Sequence, residues 1–492
     1  MVFSSITFVL FFLPVTLILY LFAALISPER WKFRVLNIVL LVSSMFFYAW
    51  GEPSYVILLL LSMILNYFFA AAIDINRGER NGTFWLVMSV TANLCFLIYF
   101  KYMNLLLTTR LFGVIVNDLP EAMRPAPDFH IALPLGISIY IFQAISYLVD
   151  VYRGTTKVSK SLIDFGCYLT MFPQLVAGPI VRYESIAKEL VKRTLSAESF
   201  AEGFRRFVFG LAKKMLLADY FGRIADAAFS VPNDEISMPV AWAGMVFYTL
   251  QIYFDFSGYS DMAIGLGRMF GFTFPENFNY PYISRSIREF WRRWHMTLGG
   301  WFRDYLYIPL GGNRKGKLRT CFNLFAVFAL CGFWHGADWM FLFWGIYYGV
   351  FLIIERVTGN FPDRLPSWLA HFYALAVVMI GWLMFRSDSW PQFRSFLYGL
   401  FWYGHYGFGH ITPQTFKIFI PFFTPGTYLT LAIGLILTTP VYPWLSDRIG
   451  NALRNHDAMR GTLAYSWTAI LLLVCYMPLY GATYNAFIYF RF

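Results

Sequence analysis

Two histidines stand where an imidazole could do chemistry. His335 lies in "CGFWHGADW", inside a run of Leu, Ala, Phe and Trp. An ionisable side chain at membrane depth is costly and marks a functional candidate. His295 lies in "FWRRWHMTLGGWFRD", residues 290–304, among three tryptophans and three arginines. A neutral imidazole takes the proton of a hydroxyl as that hydroxyl attacks an acyl carbonyl, and burial keeps the ring neutral at pH 7. A second polar group across the cavity would orient the first or stabilise the developing oxyanion, and His295 suits that place. The plainer alternative is that each histidine is a satisfied core residue, with the tryptophans packing around it rather than lining a dry tunnel. His405 and His410 fall in a Gly/Tyr-rich loop and read as surface residues.

Arg292 and Arg293 admit two readings. They anchor to lipid headgroups, or they fork onto the phosphates of a cytosolic donor. Three soluble-enzyme motifs fail on inspection. "GGNRKGK" (311–317) has the phosphate-loop spacing, but Leu318 stands where Ser or Thr should, and Pro309 disfavours the strand that must precede it. "GLGRMFG" misses the dinucleotide glycine spacing by one, and "GYSDM" around Ser260 lacks the closing glycine of a nucleophile elbow. No His/Cys cluster has metal-ligand spacing, so no metal is expected.

The elements that must hold these residues are membrane elements. Of 492 residues, 58% are hydrophobic and 14% charged, against roughly 25% charged in soluble chains. Mean hydropathy is +0.54. Apolar runs long enough for a bilayer recur at 3–26, 35–50, 54–73, 83–100, 131–149, 240–263, 322–335, 338–356, 371–387, 426–443 and 464–480. The first run lacks a basic start and is too long for a cleaved signal core, so it reads as a span. Basic clusters after the first, third and fifth runs put those loops in the cytoplasm and the N-terminus outside. Five cysteines, Cys95, Cys167, Cys321, Cys331 and Cys475, lie in or beside apolar runs and read as buried small hydrophobes.

Between the spans lie two unusual stretches. Residues 165–182, "FGCYLTMFPQLVAGPIVR", carry too many breakers for a full span and suggest a re-entrant segment buried in protein. Residues 184–223 are amphipathic and basic, as in a surface-lying segment. Arg268 to Arg319 holds ten basic and three acidic residues, most of the chain's net +11. Interleaved with spans, such charge points to headgroups or an anionic substrate rather than nucleic acid. The block 264–320 reads as short helices broken by Gly299/Gly300, Pro309 and Gly311/Gly312.

"YFDFSGYSDMAIGLGRMFGFTFPENFNYPYIS" (253–284), "FWRRWHMTLGGWFRDYLYIPLGGNR" (290–314) and "GFWHGADWMFLFWG" (332–345) closely resemble the alginate O-acetyltransferase branch of the membrane-bound O-acyltransferase (MBOAT) family. The opening 20 residues, 133–154, 172–182 and the closing "FIYFRF" resemble it too. The resemblance implies an all-α integral membrane fold of roughly 10–12 spans, with re-entrant and short interfacial helices around a central tunnel. It implies one domain over 1–492, with N-terminal spans at 1–150, a re-entrant and catalytic core at 165–345, and C-terminal spans at 346–492. The family's invariant histidine maps to His335, and a second polar position, Asn, Asp or His in relatives, maps to His295.

By resemblance, the chain passes acetyl from a cytosolic donor, acetyl-CoA, across the bacterial inner membrane, with no bound cofactor. A periplasmic SGNH-like acetyltransferase partner and the polysaccharide export machinery would then place it on alginate. Peptidoglycan, cellulose or another envelope glycan is the alternative acceptor. From other classes, a transporter or flippase and an export scaffold remain open.

Overall fold

The computed structural model describes residues 2–108, 131–401, 413–422, 424–454 and 456–481. His130, His405, His410 and the closing "FIYFRF" lie outside these. The described residues are helical and contain no strand. Among them, eight helices are long and apolar enough to cross a membrane, or nine if one pair bent by 75° counts as a broken span. The chain divides into two compact units.

The first unit comprises Met1–Gly203, Ala263–Pro275 and Gly336–Asp338. Four apolar helices open it: α1 (Phe8–Ile26), α2 (Lys32–Gly51), α3 (Pro53–Ile75) and α4 (Arg80–Leu107). They expose Leu, Ile, Val and Phe along their outer faces, Leu25 and Ile57 among them, as lipid-facing helices should. Next comes α5 (Ile137–Arg153), which packs against α3 and α4. It is buried without a break from Ile139 to Leu148.

The breaker-rich stretch forms α6 (Leu162–Thr170) and a single turn, Phe172–Leu175, followed by α7 (Tyr183–Val191). Every residue from Phe165 to Val181 is buried. Pro173 opens the turn after the extended Met171, so the helix cannot run on.

The second unit comprises Phe204–Met262, Glu276–His335 and Trp339–Phe492. Its helices are α8 (Ala197–Ala212, begun in the first unit), α9 (Asp219–Phe229) and the long α10 (Met238–Met269). Two short helices follow, α11 (Ile287–Arg293) and α12 (Met296–Phe302). Then come α13 (Gly316–His335), α14 (Trp339–Val357), α15 (Ser367–Arg386) and α16 (Trp390–Leu400). The bent pair α17 (Pro425–Leu437) and α18 (Val441–Ala452) precedes α19 (Asp457–Tyr480). The block 264–320 is broken into short helices, as its glycines and prolines predict.

Two expected spans fall short of the apolar-helix measure. The segment 131–149 becomes α5, only 17 residues long. The segment 240–263 lies in α10, which carries Gln251, Asp255, Ser257 and Ser260, all buried. Asp255 there meets Lys214 at 2.7 Å and Ser260 Oγ accepts from Asn277 Nδ2 at 3.1 Å, so a helix wrapped in protein need not be uniformly apolar.

Three further expectations are corrected. Cys167, Cys331 and Cys475 are buried, but Cys95 is exposed on the outer face of α4 and Cys321 is half-buried. The basic stretch 184–223 does not simply lie on a surface. Arg193 is buried and donates to the Tyr20 hydroxyl, the Phe270 carbonyl and Asn37 Oδ1 at 2.8–3.0 Å. In the second unit Arg206 forks onto Asp261 and Glu276, Lys213 pairs with Asp261 at 2.7 Å, and buried Lys214 bridges Asp219 and Asp255 at 2.8 and 2.7 Å. Those cations serve carboxylates of this chain rather than headgroups.

Candidate active site

The histidine region is built from α11 outward. Ser286 caps that helix, its Oγ accepting from the Glu289 N–H at 3.1 Å. Glu355 of α14, buried, accepts from the N–H groups of Ile287 and Arg288 at 2.6 and 3.0 Å. A carboxylate there satisfies two first-turn donors and complements the positive helix end. The helix ends at Trp294, and His295 turns left-handed, φ 44° and ψ 53°, before α12 begins. That conformation is uncommon outside glycine, although histidine adopts it more readily than most residues, and surroundings that hold it fix the ring's place.

Asn277, fully buried, does the holding. Its carbonyl accepts from the Met296 N–H at 2.9 Å. Its Oδ1 accepts from the Thr297 N–H at 3.3 Å and the Thr297 hydroxyl at 2.9 Å, while Nδ2 donates to Ser260 Oγ at 3.1 Å. A backbone N–H only donates, so the amide atom facing Thr297 is the oxygen. His295 Nδ1 lies 3.0 Å from that oxygen and therefore donates to it. The ring's proton sits on Nδ1, and Nε2 carries the lone pair. That nitrogen is buried with no hydrogen-bond partner among the described residues. Burial brings the ring's pKa down from 6.5 to about 3, so it is neutral at physiological pH.

His335 closes α13 and is half-buried. Its ring meets Trp344 edge-on at 5.1 Å and Phe385 at 5.4 Å. His295 meets Phe256 edge-on at 4.7 Å. Between them the rings are continuous: Phe256 to Trp294 (6.3 Å), Trp294 to Trp382 (4.6 Å), Trp382 to Trp344 (6.0 Å). Two histidines forty residues apart thus border one aromatic cluster. Such a cluster excludes water and strengthens polar interactions at its edges.

The two arginines part company. Arg293 is held by Glu289 at 2.9 Å and donates to the Asn279 carbonyl at 3.1 Å. Arg292 is exposed and makes no hydrogen bond or ion pair among the described residues. Only Arg292 is free to meet an outside anion.

Sequence reasoning passed over Asn277 and Glu355. Glu355 had a signal, a lone carboxylate in an apolar run. Asn277, in "TFPENFNYPY", had none, because its role depends on a turn 18 residues away.

The membrane-bound O-acyltransferase family model matches residues 42–388, a stretch that contains both histidines. The chain belongs to this family. A probable alginate O-acetylase of Pseudomonas aeruginosa is 44% identical over 79% of this chain and 72% of its own length. One from Azotobacter vinelandii is 38% identical over the whole of both chains. A peptidoglycan O-acetyltransferase of Helicobacter pylori is 30% identical over all of this chain and 98% of its own. An O-acyltransferase with several membrane-crossing helices therefore replaces the transporter and scaffold alternatives. Among the described residues, no three His, Cys, Asp or Glu side chains are grouped as a metal site would require.

Proposed function

We propose that this acyltransferase takes acetyl from acetyl-CoA in the cytosol and passes it across the bacterial inner membrane for O-acetylation of an exported polysaccharide, alginate in the first instance. It acts as one membrane domain over 1–492, with its N-terminus in the periplasm and a periplasmic SGNH-like acetyltransferase and the export machinery as partners. The full-length similarity to a peptidoglycan O-acetyltransferase favours peptidoglycan as the second acceptor.

The observation that carries the reading is the buried, unpartnered Nε2 of His295 at one edge of the aromatic cluster that His335 also borders. Magnitude divides the roles. A group with a pKa of about 3 is a poor proton acceptor near pH 7, since general bases work best near the operating pH. His295 therefore positions the acceptor by taking a hydrogen bond from a hydroxyl beside the attacking one, which leaves the attacking proton for His335, half-buried, the base or acyl-handling residue. The oxyanion role expected of His295 does not fit, because Nε2 carries no proton to donate. In the step, the hydroxyl oxygen attacks the thioester carbon, the hydroxyl proton passes to the base, the carbon–sulfur bond breaks, and the thiolate takes up a proton. Arg292 is the remaining candidate for the donor's phosphates.

The test is transfer of label from radiolabelled acetyl-CoA by purified protein in liposomes, with partner and glycan supplied, wild type beside His335→Ala. Transfer by the wild type alone, at equal insertion and folding, supports the reading. Equal transfer by both removes His335 from the chemistry, and no consumption of acetyl-CoA by either removes the donor.

A further inference from the structure

The first unit holds a groove that acyl transfer does not use. It has a volume of about 760 Å³, within the roughly 300–1,000 Å³ of small-ligand clefts. Three separate segments line it: 29–34, running from the loop after α1 into the first turn of α2, 160–164 at the start of α6, and 190–192 at the end of α7. They bring four cations to its wall, Arg30, Arg34, Lys160 and Lys192, all exposed. None of the four makes an ion pair or hydrogen bond among the described residues; Arg30 and Arg34 flank the Trp31 ring at 4.9 and 5.5 Å.

The groove's two carboxylates are engaged elsewhere. Glu29 accepts from Lys32 at 3.0 Å, and Asp164 accepts from buried Asn37 at 2.7 Å. The first turn of α6, capped by Ser161, borders the same space, and Asp164 in that turn offsets its positive helix end, so the four side-chain cations set the sign of the groove.

The other wall is apolar: Phe33, Leu162, Ile163, Leu190 and Val191. The groove opens where α1 ends and α2 begins, so it sits at the level where apolar helices meet water. Unpaired cations above an apolar wall match a molecule with a phosphate at one end and a hydrocarbon chain at the other. We propose that this groove binds an anionic phospholipid, its headgroup phosphate between Arg30, Arg34, Lys160 and Lys192, and an acyl chain along the apolar wall. The chemistry shared with a soluble phosphate ligand is the cation cluster; the apolar wall argues for the lipid.

The test is lipid retention by the full chain, purified in mild detergent and presented with equal phosphatidylglycerol and phosphatidylcholine, read by native mass spectrometry. The variant is R30Q/R34Q/K160Q/K192Q. A charge-matched control, R364Q/R394Q/R448Q/R460Q, removes four exposed cations elsewhere. Wild type and control should retain phosphatidylglycerol preferentially, and the groove variant should lose that preference by at least about tenfold. Equal retention by the groove variant, or equal loss in the control, overturns the site. Displacement of the lipid by soluble adenosine 3′,5′-bisphosphate assigns the cluster to a soluble phosphate and overturns the lipid.

Discussion

His295 donates its Nδ1 proton to Asn277 Oδ1 across 3.0 Å, and this bond decides what the opposite ring nitrogen can do. Asn277→Ala should remove the anchor of a left-handed residue and let the ring turn. Misplacing a reacting group by about 1 Å can cost on the order of 100-fold in rate. Acetyl transfer should fall by ~10–100-fold while the KM for acetyl-CoA stays near that of the wild type. Asn277→Asp should act differently: a carboxylate stabilises the imidazolium and raises the ring's pKa from about 3. The acid limb of its pH–rate profile should move to higher pH. Unchanged profiles in both variants would reduce Asn277 to a packing residue.

The division of roles predicts unequal losses at the two histidines. His335→Ala should cost on the order of 10²–10⁴-fold in transfer, the range of a lost general base. His295→Gln can place an acceptor oxygen near the Nε2 position, and His295→Ala cannot. The glutamine variant should therefore retain more activity than the alanine variant. The reverse order would contradict hydroxyl positioning through an acceptor.

Burial of a neutral His295 also ties stability to pH. Its pKa is about 3 in the folded chain against 6.5 in its ordinary state, so protons favour the unfolded chain. Its stabilising effect is complete above about pH 6.5 and is lost as pH falls toward 3, a difference on the order of several kcal/mol. The melting temperature in detergent should fall more steeply between pH 6.5 and 4 for the wild type than for His295→Gln. Parallel curves would mean that the ring is not buried neutral.

Much of this was legible in the residues. Hydropathy located the apolar helices, because lipid permits no other solution for a spanning backbone. His335 and His295 stood out because ionisable groups in apolar surroundings are costly. What stayed hidden depends on pairing across distance. Asn277 acts on a histidine 18 residues on, and Lys214 is neutralised by Asp255 in another helix. Single-chain patterns show which residues carry charge, not which charges meet, so within 184–223 the paired Arg206, Lys213 and Lys214 could not be told from the exposed Lys192.

That pairing has its own test. Burial pulls the Lys214 ammonium's pKa down, but Asp255 and Asp219 outweigh it and keep the pKa above its usual value. Lys214→Met leaves two carboxylates without their cation, and breaking a buried pair from one side typically costs about 3–5 kcal/mol. The variant should melt at a lower temperature or fail to insert. Lys214→Met/Asp219→Asn/Asp255→Asn removes the stranded charges and should recover part of the loss. No recovery would mean that Lys214 contributes by packing rather than by charge.

The helix that ends in His335 is held close to its neighbour by two glycines. A Cβ on Gly332 would lie 2.3 Å from the Phe341 carbonyl oxygen, and one on Gly345 would lie 2.2 Å from the Phe328 carbonyl oxygen. Both are backbone atoms, so the helices must part to admit a methyl group. Close approach through small residues is how helices pack where lipid gives no hydrophobic drive. Gly345→Ala should separate α13 from α14 and move His335 away from Trp344, which lies 5.1 Å from it. We expect acetyl transfer to fall by at least about tenfold, with a lowered melting temperature. Gly461, whose added Cβ would meet nothing nearer than 3.9 Å, supplies the control. Gly461→Ala should leave both readouts unchanged. If Gly345→Ala did the same, the spacing of the two helices would play no part in setting His335.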